Sequence, residues 1–128
     1  MMQTLLFILL GGALGAVARF GIGHWISLVA RTQFPWGILV VNLLGCLLVG
    51  LFSPLLVFDQ WHGDGWRAFV LTGFLGGFTT LSAFSLAMVR MLQASPLQAL
   101  AYFLCTSVGG VLLCAVGIVL GKMCLKAF

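Results

Sequence analysis

The sequence predicts an all-α membrane protein of four transmembrane helices, the third broken near the bilayer midplane. Three observations carry that fold class. Hydrophobic residues make up 62% of the 128-residue chain and charged residues only 6%, where ordinary soluble domains carry about 25%. Mean hydropathy is +1.23, so polar groups are too few to cover a water-facing surface. The apolar residues also fall into four runs, near Thr4–Leu28, Trp36–Phe58, Trp66–Leu92 and Leu97–Leu125. Each run exceeds the roughly 20 residues that a helix needs to cross the hydrocarbon core.

The first run has no basic segment ahead of it and continues through Gly11 and Gly12 without a convincing cleavage site. It is therefore expected to be a membrane helix rather than a cleaved signal peptide. The connection "ARTQFP" leads into the second run, "DQWHGDG" into the third and "QASP" into the fourth. Pro96 suits the first turn of that last helix, where its missing N–H has no partner to lose. Trp25, Trp36, Trp61 and Trp66 sit near the predicted ends, where indole rings favour the membrane interface. "GGALG", "GCLLVG" and "GGVLLCAVG" space small residues so that helices approach closely. Connections this short leave one domain over 1–128.

The third run is unusual. Gly76 lies ten residues beyond Trp66, or about 15 Å along a helix, close to the middle of a ~30 Å core. Gly73, Gly76 and Gly77 have low helix propensity there, and Thr79 and Thr80 are β-branched. Two readings follow. In one, the helix breaks, threonine hydroxyls satisfy freed backbone groups, and freed carbonyls coordinate a cation. In the other, the helix is bent and closely packed.

Charge gives little orientation. With the connections alternating sides, Arg67, Lys122 and Lys126 share the face of the N-terminus, while Arg31 and Arg90 occupy the other, with Arg19 nearest to it. Such balance weakens the positive-inside signal. Insertion both ways is expected, and an antiparallel homodimer with its two-fold axis in the membrane plane follows naturally. Weak bias with one orientation is the alternative.

Several functions are disfavoured. No Lys/Arg cluster suggests nucleic acid. Cys46, Cys105, Cys114 and Cys124 form no CxxC pair and read as small hydrophobes, and His24 and His62 lack companion ligands. No nucleophile–base pair or phosphate loop is present, so an enzyme is not expected. Both acids, Asp59 and Asp64, fall in the second connection. A proton-coupled cation exporter needs a carboxylate within the membrane.

Hydrogen-bond donors remain: Arg19, Asn42, Ser82, Ser85, Tyr102, Thr106 and Ser107. From the rise per residue, Asn42 lies about 9 Å inside its helix end, Tyr102 about 8 Å and Thr106 about 14 Å. Ser82 and Ser85 fall about 10–15 Å from the same face, with Arg19 in that half. Donors in one layer without carboxylates suit an anion. Bland roles stand beside this. Arg19 snorkels, Tyr102 anchors at the interface, and Ser107 and Thr72 bond back to their own helix. Asn42 is assigned a pore or interhelical role, because burying an unpartnered amide is costly.

"GGALGAVARF" at Gly11–Phe20, "GILVVNLLGCLLVG" at Gly37–Gly50 and "GFLGGFTTLSAF" at Gly73–Phe84 occur in that order. Together they resemble the Fluc (CrcB) fluoride channels of microbes, over nearly the whole chain. The resemblance implies an antiparallel dual-topology homodimer in the cell (inner) membrane, with two pores and passive, selective fluoride export. It also implies a structural Na⁺ on the two-fold axis, held by the backbone carbonyls of Gly76 and Thr79 from each subunit. The family's pore asparagine matches Asn42, its first-motif arginine matches Arg19, and its second pore phenylalanine matches Phe84. The polar track would pass Ser82, Ser85, Tyr102 and Thr106. The usual "TTFSTF" reads "TTLSAF" here, so Leu81 replaces the first pore phenylalanine and Ala83 a threonine. Gly110 and Cys114 stand where other members can have hydroxyls. A small dual-topology multidrug exporter is the competing transport class, disfavoured by the absence of a glutamate in the first helix. A non-conducting membrane subunit is the third reading.

Overall fold

The structure, a computed structural model, describes residues 1–58 and 64–127. The expectations for Asp59, Trp61 and His62 fall outside the described residues. All regular secondary structure among the described residues is helical. Helix α1 spans Met2–Ala30 and α2 spans Trp36–Phe58. The third span is composite: α3 (Asp64–Arg67), a π-helix (Ala68–Leu75), α4 (Gly76–Phe78) and α5 (Leu81–Ala94). Helix α6 spans Pro96–Ala127. Four stretches are long and apolar enough to cross a membrane: Met2–Ala30, Trp36–Leu56, Asp64–Ala94 and Pro96–Ala127. They coincide with the four apolar runs of the sequence, and the chain is a multi-pass membrane protein.

The helix ends follow local chemistry. Arg31 closes α1 in the left-handed region (φ 49°, ψ 35°), and its amide donates to the Ser27 carbonyl at 3.2 Å, the bond of an αL cap. Pro96 opens α6 where no intrahelical donor is needed. Pro54 lies inside α2 near its end. The π-helix is a feature the apolar pattern does not reveal. A segment that is apolar on all sides looks the same at either winding.

Backbone proximity organises the packing. α2 and α6 run parallel, since Cys46 meets Gly110, Gly50 meets Cys114 and Leu51 meets Gly117 and Gly121. A Cβ added at Gly50 would collide with the carbonyl of Cys114, and one at Gly117 with that of Leu47. α1 approaches the third span in the same manner. A Cβ at Gly15 would meet the Phe74 carbonyl and stand 2.9 Å from the Phe78 nitrogen. Without water between apolar helices, such contact supplies the attraction. At one end, Leu39, Met91, Ala99 and Tyr102 form a buried cluster, with Phe34, Leu43 and Phe84 against it. Phe78 and Leu75 are buried where the third span meets its neighbours, and the outer faces of α1 and α6 carry exposed leucine, valine and phenylalanine, as lipid contact requires.

Overpacking should therefore be site-selective. Gly50→Val is expected to lower the melting temperature of the detergent-solubilised protein, by a free energy of about 1–3 kcal/mol. Gly21→Val should leave it unchanged, because a Cβ there meets nothing within 4 Å. Equal melting curves for the two variants would contradict this packing.

Candidate functional site

The site begins where helical geometry stops. Thr79 (φ −81°, ψ 154°) and Thr80 (φ −149°, ψ 113°) are extended between α4 and α5. The Thr79 amide and its Oγ1 both donate to the Leu75 carbonyl, each at 3.0 Å. Thr80 turns away. Its amide donates to Asn42 Oδ1 at 2.8 Å, and its carbonyl accepts from Asn42 Nδ2 at 3.2 Å. The side-chain amide of α2 thus pairs with one residue of main chain as a neighbouring strand would. Both residues are buried, at 8% and 7% exposure, so water cannot substitute for these bonds. Gly45, one turn beyond Asn42, makes the approach possible, because a Cβ there would collide with Thr79 Cγ2.

Thr80 also restarts the helix. Its Oγ1 accepts from the Ala83 amide at 3.2 Å, an N-cap for α5, and lies 3.2 Å from Ser82 Oγ. These diversions have a consequence for two carbonyls. In a continuous helix the Thr80 amide would bond the Gly76 carbonyl, and the Ala83 amide would bond that of Thr79. Here the first amide bonds Asn42 and the second bonds Thr80 Oγ1. The carbonyls of Gly76 and Thr79 are released from those partners.

A cavity of about 340 Å³ adjoins the clasp, with Asn42, Thr79, Leu81, Phe84, Thr106 and Ser107 among its lining residues. No residue lining it carries a carboxylate. The Phe84 ring lies 5.2 Å from that of Tyr102, which Phe34 meets edge-on at 5.6 Å. Tyr102 is fully buried (0% exposed), which removes the interfacial-anchor alternative. Its hydroxyl, and that of Thr106 one turn further along α6, are buried with no hydrogen-bond partner in the protein. Leaving a buried hydroxyl unpaired costs about 1–3 kcal/mol, so two on one helix face call for an acceptor supplied from outside the chain.

The candidate residues divide. Asn42, Leu81, Phe84 and Thr106 line one cavity, and Tyr102 packs on Phe84. Arg19 instead lines a separate groove of about 330 Å³ with Phe20, His24, Ser27 and Gly37, into which Thr80 and Ala83 also project. Thr80 therefore stands between two spaces that the shared-layer reading treats as one. Ser85 donates to the Leu81 carbonyl of its own helix at 2.9 Å, and both Ser82 and Ser85 are exposed on this chain. Leu81 is 77% exposed. The sequence names Thr80 as a β-branched residue whose hydroxyl can satisfy freed backbone; what it does not reveal is that the Thr80 amide and carbonyl pair with Asn42, across the close approach that Gly45 allows.

The model of the family described as CrcB-like protein, Camphor Resistance (CrcB), matches residues 6–118. A protein of Hahella chejuensis named fluoride-specific ion channel FluC is 42% identical over 123 residues, spanning 94% of this chain and 96% of its own. Proteins of the same name from Dichelobacter nodosus and Chloroflexus aurantiacus are 39% and 38% identical, each over 94% of this chain and over 98% and 97% of their own.

If the Asn42 amide holds the extended segment, Asn42→Ala leaves two buried backbone groups unpaired, at about 1–3 kcal/mol each. Hydrogen exchange at the Thr80 amide should accelerate strongly, with protection in the middle of α6 retained. Unchanged Thr80 protection in a folded variant would contradict the clasp.

Proposed function

The chain belongs to the CrcB-like protein family, and from that premise we propose that it conducts fluoride passively across the membrane. It is not an enzyme. The observation that carries the reading is the pair of buried, unpartnered hydroxyls at Tyr102 and Thr106, beside a cavity free of carboxylates. Hydroxyls that lack an acceptor suit a small, strongly hydrogen-bonding anion, and fluoride is the smallest and strongest such acceptor among the halides. Phe84 supports the same ligand, since the edge of its ring is electropositive. Leu81 offers no such edge, so Phe84 supplies the aromatic contact alone at this wall. Asn42 acts chiefly by shaping the path. Its oxygen and one N–H are engaged with Thr80, which leaves its second N–H free to face a passing anion. Ser82 and Ser85 lie outside the cavity wall of one chain, and their exposed hydroxyls would meet the path at the contact with the second chain, while Arg19 attracts anions from its own groove.

Two such chains, inverted with respect to each other in the cell (inner) membrane, would make two equivalent pores. The near-even Lys/Arg distribution supports insertion both ways. The exposed Leu81, Ser82 and Gly76 give each chain a face for its partner around the interruption. The released carbonyls of Gly76 and Thr79 fit a structural Na⁺, a hard cation that prefers neutral oxygen ligands at this depth. When bound, that ion would supply positive charge at the subunit contact and satisfy acceptors that the interruption leaves open. Passive flow follows the gradient, and with fluoride accumulated inside the cell the direction is export.

Liposomes loaded with fluoride should empty quickly when the protein is reconstituted, while chloride is retained. Tyr102→Phe and Thr106→Val should each reduce fluoride flux at least tenfold without loss of thermal stability, because each removes an unpaired hydroxyl from a buried position. Wild-type flux in both variants, or no flux from the folded parent, would defeat the reading. Exchange of Na⁺ for N-methylglucamine should lower the melting temperature of the assembled protein, and returned Na⁺ should restore it. Identical melting curves in the two cations would reject the ion.

A further inference from the structure

Two thiols line the cavity beside the hydroxyls. Cys46 of α2 and Cys114 of α6 are both on its wall, and both are free and half-buried. The other cysteines among the described residues, Cys105 and Cys124, are exposed on the outer face of α6. The register of the parallel α2–α6 pair brings the first two together. The Cys46 sulfur sits in the space that Gly110 leaves open, 3.1 Å from where a Cβ on Gly110 would stand. Cys114 follows Gly110 by one turn, about 6 Å of rise. Its Cα–Cβ bond tilts toward the helix N-terminus and so toward the level of Gly110. In return, the Cys114 backbone packs on Gly50, one turn beyond Cys46. Each cysteine therefore flanks the other across the same small-residue seam, with a cavity in front of both.

We propose that Cys46 and Cys114 form a two-coordinate site for a soft monovalent cation of the Cu(I) class, and that its occupation obstructs the cavity. Thiol sulfur selects such cations over hard ones, and two-coordination needs no third ligand. In the binding step one S–H bond breaks and its proton leaves to water. The cation bonds the resulting thiolate and the sulfur of the other thiol, which keeps its proton. One positive charge enters and one leaves, so the site remains neutral, as a low-dielectric interior favours. The binding claim stands on the cysteine geometry, and the obstruction claim rests on the channel reading.

Ag⁺, a redox-inert stand-in, tests both in the Cys105→Ser/Cys124→Ser background. One equivalent of Ag⁺ per chain is expected to protect Cys46 and Cys114 together from a membrane-permeant maleimide. Cys46→Ser and Cys114→Ser should each weaken Ag⁺ retention against a competing small thiol at least a hundredfold. Undiminished retention in either single variant, or protection of only one sulfur, would overturn the site. In liposomes, Ag⁺ should slow fluoride exit from the background protein at least tenfold and leave the Cys46→Ser variant untouched. Unslowed exit with both sulfurs protected would overturn the obstruction while leaving the binding intact. Absence of fluoride exit before Ag⁺ is added would count against the channel alone.

Discussion

One side-chain amide holds the interruption of the third span in place. Extended backbone at Thr79 and Thr80 exposes polar groups within an apolar protein, where each unpaired group costs several kcal/mol. Asn42 answers the donor and the acceptor of Thr80 together. No single hydroxyl has the geometry for this, and a charged side chain at that position would need a counter-ion. The interruption in one helix and the asparagine in another are therefore one structural unit. The proposed ion site depends on it, because the clasp diverts the amide that would otherwise occupy the Gly76 carbonyl.

Close helix approach is the condition for the clasp. Asn42 has a short side chain and reaches Thr80 only because Gly45 admits Thr79 against α2. The same economy sets α2 against α6 and α1 against the third span, where glycines meet backbone carbonyls directly. Lipid does not drive apolar helices together as water does, so contact density must carry the association. Widened winding over Ala68–Leu75 belongs to this packing. Gly73 there lies against the α1 backbone at Ile8 and Gly11, with a Cβ standing 2.9 Å from the Ile8 carbonyl.

What the clasp leaves unsatisfied is informative. The amide, the carbonyl and the Oγ1 of Thr80 each have a partner within the chain, the Oγ1 capping α5. Against that economy the bare hydroxyls of Tyr102 and Thr106 stand out, one turn apart and buried. The proposed anion would be the acceptor that these two donors lack. The carbonyls that the clasp releases belong to the third span and the open hydroxyls to α6, so the acceptors proposed for a cation and the donors proposed for an anion lie on different elements.

Much of this was legible in the residues. Four apolar runs longer than a bilayer can dictate only spanning helices, since every backbone group in lipid must be bonded within the chain. The glycines and paired threonines of the third run marked where regular helix is weakest, and the absence of acids inside the runs disfavoured proton-coupled cation chemistry. Tertiary structure decided the partners. Helical depth placed Arg19 and Asn42 in one layer, but rotation about the helix axes and the crossing of α1 and α2 put them on different spaces on either side of Thr80. Likewise, sequence left Tyr102 between an anchor at the interface and a donor in the interior; the Phe34 and Phe84 rings packed around it made it interior. Composition and propensity are local or cumulative quantities and survive in one dimension. A hydrogen bond between residues 42 and 80, or a sulfur seated against a glycine 64 positions away, depends on which helix faces meet, and that is set only when all the helices pack at once.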